Sequence, residues 1–185
     1  MFKTLRQIAA TGLVTEPAPD ADRGLRLRDA LQARILGIMG RALCIRAVDA
    51  GSCNGCELEI HALNNPIYNL EGQGIRFVAS PRHADLLLVT GPVSRSMEAA
   101  LLATFEATPE PRLVVAIGDC GCTGGVFGEG YASCGRVSNV IPVDVAVPGC
   151  PPSPLSIMSG ILTAIAPGAD DGLQPRTNPA AVDRP

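Results

Sequence analysis

A chain of 185 residues with 46% hydrophobic content is long enough to bury one sizeable core, so one ordered domain is the expectation and a disordered chain is excluded. A net charge of −3 and an aromatic content of 3% supply neither the basic face nor the stacking side chains of a nucleic-acid binder. No stretch approaches the roughly 18 to 20 continuous apolar residues of a membrane span, and the start MFKTLRQIAATGLVTEPAPD lacks an apolar signal core with a cleavage site, so a cytoplasmic location is expected.

Residues 2 to 13 place Phe2, Leu5, Ile8, Ala9 and Leu13 at helical spacing with Lys3 and Arg6 between them. This predicts a short amphipathic helix, suited to a membrane, a partner subunit or its own domain. EPAPDAD, residues 16 to 22, breaks the pattern and reads as a linker. A second helix, roughly Leu25 to Met39, carries Leu27, Leu31, Ile35 and Met39 on one face, so residues 1–40 form a helical N-terminal extension.

Beyond it the pattern changes. LCIRAV (43–48), IRFVA (75–79), DLLLVTG (85–91), RLVVAIGD (112–119) and VDVAV (143–147) read as strands. Residues 55–70, 94–107 and 154–165 read as helices, the last opened by Pro154. Near-continuous apolar strands alternating with helices predict an α/β domain over 41–166, flavodoxin-like, with a mostly parallel sheet covered on both faces. Residues 167–185 are polar and Pro-rich and read as a loose tail.

Seven cysteines, an odd number in a reducing compartment, point to ligands, reactive thiols and small buried residues rather than a disulfide framework. In an open parallel sheet the loops leaving the carboxyl ends of the strands gather along one edge, where ligands bind. Cys53 and Cys56 follow the first strand, Cys120 follows RLVVAIGD and Cys150 follows VDVAVPG, so four thiols distant in sequence are expected at one edge. Gly51, Gly55, Gly118, Gly121, Gly124, Gly125 and Gly149 beside them allow backbone to approach a bulky group and aim N–H donors at it.

AGSCNGCELEI alone leaves three chemistries open: a redox dithiol, half of a zinc site, or two ligands of an iron–sulfur cluster. Structural zinc usually takes two compact ligand pairs, and this chain has one. A dithiol at a helix start has a lowered thiol pKa, yet that account leaves Cys120 and Cys150 unexplained. Glu57 and Glu59 lie in the first turn of the following helix, where the dipole favours carboxylates. That accounts for Glu57, while Glu59 is the candidate to face a partner and relay protons. His61 and His83 lack ligand spacing and are assigned to surface or core.

GSCNGCELEI, GDCGCTGG and PGCPPSP, in that order, resemble the small, single-cluster subunit of the membrane-associated [NiFe]-hydrogenases related to respiratory complex I. That subunit is homologous with the 20 kDa subunit of NADH-quinone oxidoreductase, which carries the terminal [4Fe-4S] cluster. The resemblance covers roughly residues 40–166 and implies that Cys53, Cys56, Cys120 and Cys150 hold one [4Fe-4S] cluster. Cys122 is the rival to Cys120, whereas Cys44 and Cys134 have no counterpart and are assigned to packing. Complex I subunits carry two adjacent cysteines at the first motif, so the C-x-x-C here favours the hydrogenase branch.

The resemblance further implies an electron-transfer subunit of an oxidoreductase. Its expected partners are a [NiFe]-hydrogenase-like large subunit, a ferredoxin-like iron–sulfur subunit and integral membrane subunits, with this chain peripheral on the inner face of the cell membrane. The alternative is a cluster subunit that donates electrons to quinone. In complex I the loop corresponding to TGPVSRSM lies near the quinone head, which implies a quinone-like or vestigial pocket with Arg95 and Met97. The plainer account makes Ser94 a helix cap and puts Met97 in the core.

Overall fold

The computed structural model describes residues 21–165 together with Lys3, Arg6 and Ala10. The amphipathic helix expected over residues 2–13 otherwise lies outside the described residues, as do positions 16–20 of the linker and the whole tail. Positions 21 and 22, read as linker, already belong to the first described helix, α1 (Ala21–Met39).

The elements that follow are β1 (Leu43–Asp49), α2 (Gly55–Ala62), β2 (Ile75–Phe77), β3 (Leu86–Thr90), α3 (Arg95–Ala107), β4 (Leu113–Ile117), α4 (Gly118–Thr123), β5 (Val145–Val147) and α5 (Pro154–Ile165). The five strands form one sheet in the order β2-β1-β3-β4-β5, and every pairing is parallel. This is the flavodoxin-like doubly wound order, whose direction of winding reverses beside β1 and β3.

Period-two alternation sorts the strand side chains onto two faces. Leu43, Ile45, Leu86, Leu88, Val115 and Ile117 join Leu27, Leu31 and Ile35 of α1, Ile60 of α2 and Ile157 and Ile161 of α5 in one core layer. Leu87, Val89, Val114 and Ala116 face the other way, onto Leu101 of α3 with Val137 and Ile141. All five residues of β3 are buried, because a central parallel strand is covered on both sides. That is why LLLVT reads as a continuous apolar run.

The helix expected over 55–70 stops at Ala62. Asn65 Oδ1 accepts the amides of Ile67 and Tyr68, both at 2.9 Å, and Pro66 between them has no N–H to continue the ladder. GDCGCT, read as a loop, is the short helix α4. At the far end, Gly160 of α5 sits directly on Val147 of β5, and an added Cβ would overlap the stiff, branched valine. Gly160→Ala is therefore expected to cost about 1–3 kcal/mol, the range for overpacking, read as a lowered thermal midpoint. An unchanged midpoint would place α5 farther from the sheet.

Candidate metal centre

Three loops at the carboxyl edge of the sheet carry the cysteines. The first leaves β1 at Asp49, whose Oδ1 accepts the amides of Gly51 at 2.8 Å and Ser52 at 2.7 Å. Ser52 Oγ in turn accepts the Asn54 amide at 3.1 Å. Asn54 adopts φ 71°, a left-handed conformation that asparagine tolerates, and turns the chain into α2. Cys53 is left exposed on this loop, while Cys56 enters the first turn of α2, half-buried against the core.

The second loop follows β4 and turns at Gly118 into α4, which carries both Cys120 and Cys122. Their surroundings differ. Cys122 packs on the α3-side core layer and its thiol donates to the Ala116 carbonyl at 3.6 Å. Cys120 instead has its sulfur beside Gly125. The third loop follows β5 and holds the exposed Cys150, whose bond to Pro151 is cis.

Asp119 clips the second loop to the third. Its N–H donates to the Gly149 carbonyl and its Oδ1 accepts the Gly149 amide, both at 2.8 Å. The residues immediately before Cys120 and Cys150 are thus fixed face to face. Sequence reading missed this role; its only trace was an aspartate directly before the cysteine.

Two glycines leave room for sulfur. A Cβ on Gly118 would lie 2.6 Å from Cys56 Sγ, and one on Gly125 would lie 2.8 Å from Cys120 Sγ. Both residues have positive φ, 83° and 55°, so a side chain is disfavoured there twice over.

The electrostatics draw the four predicted thiols into one group. Burial, then Glu57, Cys53, Cys120 and Cys150, pushes Cys56 up to about 11. Burial also raises Cys120, with Cys150, Cys53 and Asp119 adding to it. Cys122 is pushed up to about 12, by burial first and Asp119 second. Among the described residues no three His, Cys, Asp or Glu side chains converge as a single-ion site; the thiols are spread wider than the ~2.3 Å shell of one zinc requires.

Packing several thiolates together is unfavourable without a cation among them, so this donor set suits a sulfur-liganded, iron-rich group larger than one ion. In the bare chain the sign is set by the raised values. A thiol with a higher pKa folded than unfolded favours folding below its ordinary value and loses that contribution as pH rises through the folded one. The metal-free chain is therefore expected to lose thermal stability from about pH 9 to about pH 11, and Cys56→Ser to flatten the loss. A midpoint that stays level over this range would contradict the crowding of thiols.

The remaining candidates fall as follows. Glu59 is half-buried within α2. Glu57 occupies the first turn, as the dipole account requires, yet both its carboxylate oxygens are buried without a hydrogen-bond partner. Ser94 stands at the N-cap of α3, but its side chain makes no capping bond; its backbone bridges to Ser133 instead. Met97 is half-buried rather than in the core, and Arg95 meets Glu98 at 3.4 Å on the surface, a pairing of little energy. Cys134 is buried, Cys44 half-buried, and both histidines are exposed.

Fold and site together define a flavodoxin-like α/β protein with a thiol-rich sheet edge. Residues 53–164 match the family model described as NADH ubiquinone oxidoreductase, 20 Kd subunit, and the chain belongs to that family. It is 44% identical over 133 residues to "Probable membrane-bound hydrogenase subunit mbhJ" of Pyrococcus furiosus, covering 72% of this chain and 80% of that one. It is 41% identical over 135 residues to "Formate hydrogenlyase subunit 7" of Escherichia coli, covering 73% of this chain and 53% of that one, so it spans about half that relative's length. Among solved structures, a chain of the membrane-bound sulfane sulfur reductase, an archaeal respiratory membrane complex, matches with TM-score 0.60 and 32% identity over 77% of each chain. These relatives are subunits of oxidoreductase complexes.

Proposed function

We propose that this chain is the electron-transfer subunit of a membrane-associated, complex I-like [NiFe]-hydrogenase, with Cys53, Cys56, Cys120 and Cys150 holding one [4Fe-4S] cluster next to the large subunit's active site. Such a cluster supplies one-electron transfer as protons and hydrogen interconvert on the partner. The observation that carries this reading is that Cys56 and Cys120, from loops after different strands, each feel both Cys53 and Cys150. The hydrogenase names of the relatives and the C-x-x-C spacing support this branch over the quinone-reducing one.

In this reading the chain's own residues do three things. The Asp119–Gly149 clip sets the separation of the Cys120 and Cys150 loops. Gly118 and Gly125 keep side chains away from sulfur. Glu59 faces the partner and passes protons. No helix among the described residues is long and apolar enough to cross a membrane, so attachment is through partners, a ferredoxin-like subunit and integral membrane subunits.

Metal analysis of the intact complex, purified without oxygen, tests this. About four irons per copy of this chain and nickel in the large subunit are expected. One zinc per chain, or a metal-free and reversible Cys53–Cys56 disulfide, overturns the cluster. Iron without nickel, together with inhibitor-sensitive quinone reduction, moves the chain to the quinone branch.

A further inference from the structure

Three of the six large hydrophobic side chains exposed among the described residues fall within one six-residue stretch, Val126–Tyr131. Val126 is 94% exposed, Phe127 62% and Tyr131 100%. The whole chain has only four Phe and two Tyr, and two of those six aromatics are spent on a loop that buries neither in this chain. Clustered, outward-facing aromatics mark interaction sites, because a rigid ring contributes much contact area for little lost freedom.

The segment is rich in glycine, and free glycine loops are costly to order, but this one is held from beneath. The Gly128 amide donates to Gly124 O at 3.1 Å and the Gly130 amide to Ser133 O at 2.9 Å. The amides of Arg95 and Cys134 donate to Ala132 O at 2.9 Å and Val93 O at 2.7 Å, and the Val93 amide to Gly135 O at 2.8 Å. Asn139 Nδ2 donates to Glu129 Oε1 at 2.6 Å and to Cys134 O at 2.8 Å. The backbone is fixed while the apolar side chains have no partner, which is the arrangement of a preorganised binding surface.

Its position identifies the occupant. The loop is rooted at Gly124, whose amide donates to Cys120 O at 2.9 Å, and at Gly125, which abuts Cys120 sulfur. A protein that exchanges electrons at this edge must approach within reach of Cys120, and the loop stands beside that approach. We propose that Val126, Phe127 and Tyr131 form the anchor by which the metal-bearing large subunit docks, their side chains entering an apolar cleft on it. This rests on the electron-transfer reading above.

The test is made in the assembled complex from cells, with a benzophenone photocrosslinking amino acid at position 131 and, separately, the double variant Val126→Asp/Phe127→Ser. The crosslink is expected to join this chain to the nickel-bearing subunit. The double variant is expected to keep its iron while losing at least ten-fold in co-purified large subunit. A crosslink to a second copy, to a membrane subunit or to lipid overturns the proposal, as does none at all in an intact complex, or a double variant that binds the large subunit undiminished. Iron missing from the parent chain strikes the cluster assignment instead, and the two failures are told apart by assaying iron in every sample.

Discussion

Cys120→Ala is expected to lower iron from about four atoms per chain to below one and to abolish electron transfer, while Cys122→Ala leaves the iron in place. The two thiols are two residues apart on α4, so sequence offers either as ligand. Their environments differ. Cys122 is committed to the core: it lies against the α3-side layer, donates to the Ala116 carbonyl at 3.6 Å, and has its pKa pushed up to about 12. A thiolate ligand there would first have to leave apolar packing and give up that bond.

Cys120 is raised foremost by burial, but its neighbours are Cys150 and Cys53, the groups with which it would share a cluster. Truncating Cys122 removes a small packed side chain at a cost of about 1 kcal/mol, so its variant should melt slightly lower yet keep its reduced-state paramagnetic signal. Iron and signal retained in Cys120→Ala and lost in Cys122→Ala would reverse the assignment.

The strands were readable because a parallel sheet covered on both sides demands unbroken apolar runs, and DLLLVTG and RLVVAIGD supply them. Strand ends then located the four thiols without any knowledge of packing. What escaped was decided by contacts that spacing does not encode. Residues 63–70 keep enough apolar positions to look helical, and the stop comes from the Asn65 side chain capturing two amides around Pro66. GDCGCT has no apolar period, so α4 exists by virtue of where β4 delivers it. The clip between Asp119 and Gly149 spans thirty residues, and the isolation of the Glu57 carboxylate appears only once the helix is packed.

Gly118→Ala is expected to damage the same site without touching a sulfur. The added Cβ would lie 2.6 Å from Cys56 Sγ and 3.4 Å from Gly149 O, so one methyl group presses on the first and third loops from the second. Cys56 is anchored in α2 against the core and Gly149 is held by Asp119, which leaves neither free to yield. The residue must also hold φ 83°, at a cost of about 1–3 kcal/mol for a non-glycine side chain. Gly128→Ala separates the two effects: its φ is 55°, yet nothing lies within 4 Å of the added carbon. Both variants should lose stability through strain, about 2–4 °C in thermal midpoint per kcal/mol for a chain of this size. Only Gly118→Ala should fall below half the parent's iron content, because crowding at Cys56 displaces a ligand whereas strain alone does not. Equal iron in the two variants would mean that the space beside Cys56 serves the backbone turn and not the group the sulfurs hold.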